Sequence, residues 1–217
     1  MARASGAATR EKLLRAAEEL FAAHGVDGAQ TRDIVRLAGQ GNPSAVQYHF
    51  GSRAGLLAAV MAGRLARTEA VLAPALAAVE ARSGAAGPDP RALVGALVTA
   101  EATQLRDDRG RRCLRISAQL THESGVRTRT PHPTLAGTAT WRLIGLVEDA
   151  LAAAGLPEAL RLERIELALT LIGAALADRA RQHLAGVRPL TCEEFFLADL
   201  TGSTVAFLLA PAAAPYP

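Results

Sequence analysis

The chain is short of lysine, aromatic residues and cysteine. Lys12 is the only lysine among 24 basic residues, aromatics make up 4% of 217 residues, and there are two cysteines. Cys113 and Cys192 are too few for a disulfide framework and lack metal-ligand spacing. Each reads as a small buried hydrophobe, and no metal or cofactor is expected. Strand-forming β-branched and aromatic residues are sparse beside abundant alanine and leucine, which favours helix throughout. Long apolar runs are missing too. The run from Leu167 to Ala177 is too short to span a bilayer, and the uncharged stretch from Leu200 is interrupted by Gly202, Ser203 and Pro211. The opening "MARASGAATREK" has no apolar signal-peptide core. These absences point to a soluble, cytoplasmic, all-α protein with no membrane partner.

What charge there is lies unevenly. Residues 1–67 hold nine basic and five acidic side chains, leaving 15 and 16 for the remainder. The whole positive excess therefore sits in the first third, the footprint of a nucleic-acid-binding end on a neutral body. The arginine bias itself follows as readily from a GC-rich genome as from phosphate binding.

The periodicity of that first third predicts four helices. Thr9 caps a helix to His24, with Leu13, Leu14, Ala17, Leu20 and Phe21 on one face and Gly25 closing it. "TRDIVRLAG" is a second helix of about two turns, capped by Gln30 or Thr31. Asn42 and Pro43 open a third, in which Ala45, Val46 and Phe50 anchor and Ser44, Gln47, Tyr48 and His49 face the other way. Ser52 caps a long fourth helix to about Glu80. Short helices joined by a tight turn make a helix-turn-helix unit.

"RSGAAGPDP" is a linker, and helical segments follow to a last one opened by a capping box, Thr191 with Glu194. In the two final helices Leu162, Ile165, Leu169, Ile172 and Leu176 form a 3-4-3-4 stripe, with Leu167, Leu171 and Ala174 as a second face. A large single core accounts for this excess. A two-fold dimer through Leu162, Ile165, Leu169, Ile172, Leu176, Phe196, Leu200 and Phe207 accounts for more of it.

"REKLLRAAEELFAAHGVDGAQTRDIVRLAG" followed by "SAVQYHFGSRAGLL" resembles the TetR-type transcriptional regulators. The resemblance covers residues 9–67, and several motifs agree in order and spacing. The turn "AGQGNPSAV" carries one residue more than the commonest pattern, Gln47 stands where an aromatic is frequent, and Arg53 replaces a lysine. The resemblance implies an N-terminal helix-turn-helix domain (9–67) after a disordered arm (1–8). A helical effector-binding and dimerisation domain (68–210) and a disordered tail (211–217) complete the expected organisation.

On groove geometry, Ser44, Ala45 and Gln47 are the expected base readers. Tyr48 and His49 match phosphate contacts in the family pattern, and Thr31, Arg32 and Arg53 are placed to hold flanking phosphates. The partners implied are a double-stranded, palindromic DNA operator, a second copy of the chain, and a small-molecule effector. Thr103, Gln104, Cys113, Ser117, Gln119, His122 and Trp141 are the candidate lining groups for that effector. The function implied is a dimeric repressor of the bacterial nucleoid released by its effector; an activator or a ligand-independent regulator of the same fold is the alternative. No nucleophile–base or metal constellation suggests an enzyme.

Overall fold

Alanine and leucine build this chain almost entirely as helix. The computed structural model describes residues 2–84, 87–120 and 124–212, with side chains from Gly6 onward. Among these residues there are nine α-helices and no strand. They are α1 (Ala2–Gly28), α2 (Thr31–Leu37), α3 (Ala45–Phe50), α4 (Arg53–Arg82), α5 (Pro90–Ala102), α6 (Asp108–Ser117), α7 (Ala139–Ala153), α8 (Glu158–Leu184) and α9 (Glu193–Leu209). A 3-10 turn, Thr103–Arg106, joins α5 to α6. No helix among the described residues is long and apolar enough to cross a membrane.

The first helix departs from expectation at its start. It runs from Ala2, so residues 2–8 of the expected disordered arm are helical and Thr9 lies inside the helix instead of capping it; Met1 lies outside the described residues. Its far end is as expected: Gly25, at φ 82° and ψ 162°, breaks the helical path. The left-handed φ there suits glycine, which carries no Cβ. The break leaves the Val26 N–H without a helical acceptor, and the Gln119 side-chain oxygen accepts it at 2.9 Å.

The turn before α3 is held by Asn42. Its side-chain oxygen accepts the Ser44 N–H at 2.9 Å and its carbonyl accepts the Ala45 N–H at 3.1 Å. Pro43 and Ser44 are thereby spent on the turn, and α3 begins at Ala45, later than a helix opened by Pro43. Gly51, left-handed at φ 72°, ends it. Ser52 then caps α4 by accepting the Gly55 N–H at 2.9 Å. Gln30 caps α2 with no side-chain hydrogen bond.

Apolar side chains collect into two cores. The first takes Leu13 and Phe21 from α1, Ile34 from α2, Val46 from α3, and Leu56 and Val60 from α4; Cys113 and Ile116 of α6 complete it. The second joins Leu72 and Leu76 of α4 to Leu93, Leu143, Ile165, Leu176 and Leu200. One continuous helix, α4, feeds both.

The last two helices correct the expected dimer surface. Ile165, Ile172 and Leu176 of α8 and Leu200 of α9 are buried in the chain's own second core, while Leu162, Leu169, Phe196 and Phe207 pack half-buried against it. The apolar side chains left uncovered are others: Leu167 (48% exposed) and Leu171 (40%) on α8, Phe195 (60%) and Leu209 (40%) on α9. The capping box also fails to form. The Thr191 hydroxyl accepts from Arg179 at 3.0 Å and its carbonyl from the same guanidinium at 2.9 Å, so Cys192 becomes the cap of α9. Arg164, buried, donates to the carbonyls of Leu208 (2.9 Å) and Pro211 (3.2 Å), so the expected tail is anchored at its first residue. Residues 213–217 lie outside the described residues.

One close approach of backbones lies between α3 and α4. A Cβ on Gly55 would lie 2.1 Å from the Phe50 carbonyl oxygen, a backbone atom that cannot swing aside. Gly55→Ala is expected to destabilise the fold by roughly 2–4 kcal/mol, measured by urea unfolding.

Candidate nucleic-acid interface and ligand cavity

A six-residue helix cannot hold its own shape in water, so α3 depends on what it packs against. Ala45 and Val46 are buried in the first core. Phe50, half-buried, packs against that core and lies under the Arg10 guanidinium, 4.9 Å from its ring centroid, which ties α3 to α1. Those anchors turn Ser44, Gln47 and Tyr48 outward; Tyr48 is 82% exposed. Its ring meets that of His49 edge-on, with centroids 4.9 Å apart and planes at 86°. An exposed tyrosine at that level is not a core residue. At the start of α2, Arg32 is exposed and Thr31 is half-buried.

Two expected DNA contacts change role. Ala45 is buried, so its methyl group is not available to a base. Arg53 donates from Nε to the Ala29 carbonyl at 3.1 Å and lies over the Phe21 ring, 5.3 Å from its centroid. It braces the head of α4 against the entry to α2. Nor is the positive excess of the first third all at the surface. Arg64 pairs with Glu101 of α5, and Arg67 donates to the Gln104 side chain at 3.1 Å.

Residues 13–60 match the model of the family described as bacterial regulatory proteins, tetR family. The match lies wholly within the first third of the chain and is a similarity of that segment. The order α1 to α4, with the short exposed α3 held between two turns, is a helix-turn-helix arrangement. Solved structures that match include a transcriptional regulator from Rhodococcus sp. Rha1, 22% identical, covering 92% of this chain and 95% of that one at a TM-score of 0.49. A TetR-family regulator from Streptomyces coelicolor A3 is 20% identical over 93% of this chain and 95% of its own, at 0.43. A further TetR from Streptomyces coelicolor is 22% identical over 93% and 99%, at 0.42. No curated protein matches the sequence.

Behind the TetR-type head lies a cavity of about 530 Å³ between α4, α5, α6, α7 and α8. Leu57, Met61, Leu97, Leu114, Ile144, Leu169 and Ile172 make most of its wall, and Arg64, Glu101, Ser117 and Thr140 are among its polar members. Of the residues expected to line it, Ser117 does. Thr103 turns its hydroxyl back to the Ala100 carbonyl at 2.7 Å. Gln104 is buried against Arg67, and Gln119 holds Val26. Trp141 packs against the second core, Cys113 belongs to the first, and His122 lies outside the described residues. Arg64 and Glu101 escaped the sequence reading, though a signal existed. Leu57, Met61, Arg64 and Leu65 share one helical face, and a cation on an apolar face needs a partner.

The two thiols differ sharply. Burial pushes the Cys113 thiol up, and the nearby Glu18 carboxylate adds to this against the opposing pull of Arg67. Cys192 is exposed. Since the thiolate is the reactive form, native labelling with a thiol reagent should modify Cys192 alone, and Cys113 should react only on unfolding. Mass spectrometry after timed labelling reads both, and rapid native labelling of Cys113 would contradict its burial.

Proposed function

We propose that this chain is a dimeric repressor, released from a palindromic operator by a small molecule bound in the cavity behind its TetR-type head. The observation that carries the DNA half is α3 itself: a short helix fixed from one side, with polar side chains left without packing on the other. In this reading Ser44 and Gln47 meet base edges in the major groove, where glutamine pairs with adenine through two hydrogen bonds. Tyr48, His49, Thr31 and Arg32 hold phosphates, and Arg53 positions them from behind. The head spans residues 9–67 and the effector and dimer domain 68–210, with α4 common to both.

The uncovered apolar side chains of α8 and α9 support the dimer. Leu167, Leu171, Phe195 and Leu209 replace the buried stripe as the proposed contact. Two heads so joined would sit about 34–36 Å apart on half-sites one helical turn apart. The effector acts by favouring the non-binding spacing, through its differential affinity for the two conformations.

A gel shift against DNA flanking the protein's own gene tests the reading at low and moderate salt; absence of binding at low salt would sink it. Gln47→Ala should cost about 1–3 kcal/mol and relax preference at one base pair per half-site. Tyr48→Phe should weaken binding to all sequences alike. Leu171→Glu should yield monomers by size-exclusion chromatography and abolish specific binding, and specific binding by such a monomer refutes the dimer.

A further inference from the structure

We propose that the molecule this cavity takes is uncharged and largely apolar, with one hydrogen-bond-accepting group that Arg64 receives. The inference rests on the reading of the cavity as the effector site and adds the chemistry of the ligand.

Charge balance comes first. Among the described lining side chains Arg64 is the only guanidinium or ammonium and Glu101 the only carboxylate. They are paired with each other, and each side chain is only about a tenth exposed, 12% and 11%. An anionic ligand would take Arg64 and strand Glu101; a cationic one would take Glu101 and strand Arg64. Leaving either charge buried without its partner is strongly unfavourable. A neutral molecule leaves the pair intact.

Hydrogen-bonding demand comes second. The Nε of Arg64 is buried and has no acceptor. Several other polar groups of the wall are already engaged. The Thr140 hydroxyl donates to Glu69 at 2.6 Å, the Ser124 hydroxyl donates to Glu166 at 2.7 Å, and the His132 Nδ1 lies 2.8 Å from the Thr134 hydroxyl. The unmet need is an acceptor, and a ketone, ester or ether oxygen supplies it without adding charge. The apolar remainder of the wall then takes a hydrocarbon body.

The test titrates the full chain with 2-octanone, octanoate and octylammonium, matched in length, by calorimetry, with thermal unfolding alongside. The ketone should bind at least about tenfold tighter than either ion, the worth of one hydrogen bond without a stranded charge. Arg64→Lys keeps a cation for Glu101 but removes the Nε donor. It should weaken the ketone about tenfold while unfolding at a temperature close to that of the unaltered chain. Glu101→Gln removes the carboxylate that excludes anions, so octanoate should then bind as tightly as the ketone; this arm serves if the lysine variant fails to fold. Octanoate or octylammonium matching the ketone on the unaltered chain overturns the proposal, as does no binding by any of the three. If the ketone binds without releasing DNA, the ligand chemistry stands and the effector reading falls. If an ion alone binds and releases DNA, the reverse holds.

Discussion

The joint between the two cores is an ion pair beneath α1. Glu18 of α1 is almost wholly buried, and Arg109 of α6 meets its carboxylate at 2.8 Å while reaching Glu11 at 3.2 Å. Burial alone would lower the Arg109 guanidinium, but its bonds to Glu18 and Glu11 hold it above its ordinary value. Removing one partner of such a pair costs about 3–5 kcal/mol, because the other charge is left without compensation. This pair seats α6 under the DNA-binding head, where Cys113 and Ile116 enter the first core and Gln119 satisfies the broken end of α1. The head is therefore not a separate bead on a linker. It is closed from below by a helix that also carries the cavity residues Leu114 and Ser117.

A second continuous element runs alongside. At its start α4 meets α3 where Gly55 lies against the Phe50 carbonyl, and Arg53 ties it to the Ala29 carbonyl and the Phe21 ring. Midway it places Arg64 in the cavity wall, and the Glu69 carboxylate then accepts the Ala139 and Thr140 N–H groups at 2.6 and 3.0 Å at the beginning of α7. Near its end Glu80 meets Arg142 at 2.7 Å. Helix N-terminal N–H groups have no partners of their own, so Glu69 makes α7 depend on where α4 lies. Two of the cavity's walls, α4 and α6, also pack against the helices of the head. Packed helices move between discrete arrangements more readily than they stretch, and the proposed effector would act by favouring one of two such arrangements.

The head was legible because its signals are local. Gly39, Asn42, Gly51 and Ser52 mark turns and caps, and Phe50 and Val46 fall on the inward side of any helix drawn through them. What was not legible required knowing neighbours. A helix pattern reports which residues share a face but not what covers it, so the stripe from Leu162 to Leu176 could not be told from a contact between chains. The same limit hid Ala45, whose small side chain suits a groove or a core equally. Arginine misled most. Arg53, Arg64 and Arg67 counted toward a DNA footprint, yet the fold uses them on a carbonyl, a carboxylate and an amide.

Subtracting those arginines changes what the head can do alone. Arg15 faces Glu11 at 2.9 Å and Arg10 lies over Phe50. Arg36 meets Asp33 at 2.9 Å, with Arg32 at 4.0 Å from the same carboxylate. These surface pairs are weak, so Arg32 and Arg36 can exchange Asp33 for a phosphate, but each exchange leaves the carboxylate near the DNA. Counterion release rises with the number of phosphates neutralised, and one head offers few. In the proposed reading, direct readout through Gln47 and Ser44 adds one or two base contacts more. Two heads on one rigid body, as in the proposed dimer, would double both terms and lose rotational freedom only once. The uncovered leucines and phenylalanine of α8 and α9 are thus as much a part of DNA recognition, in the proposed dimer, as the tyrosine of α3.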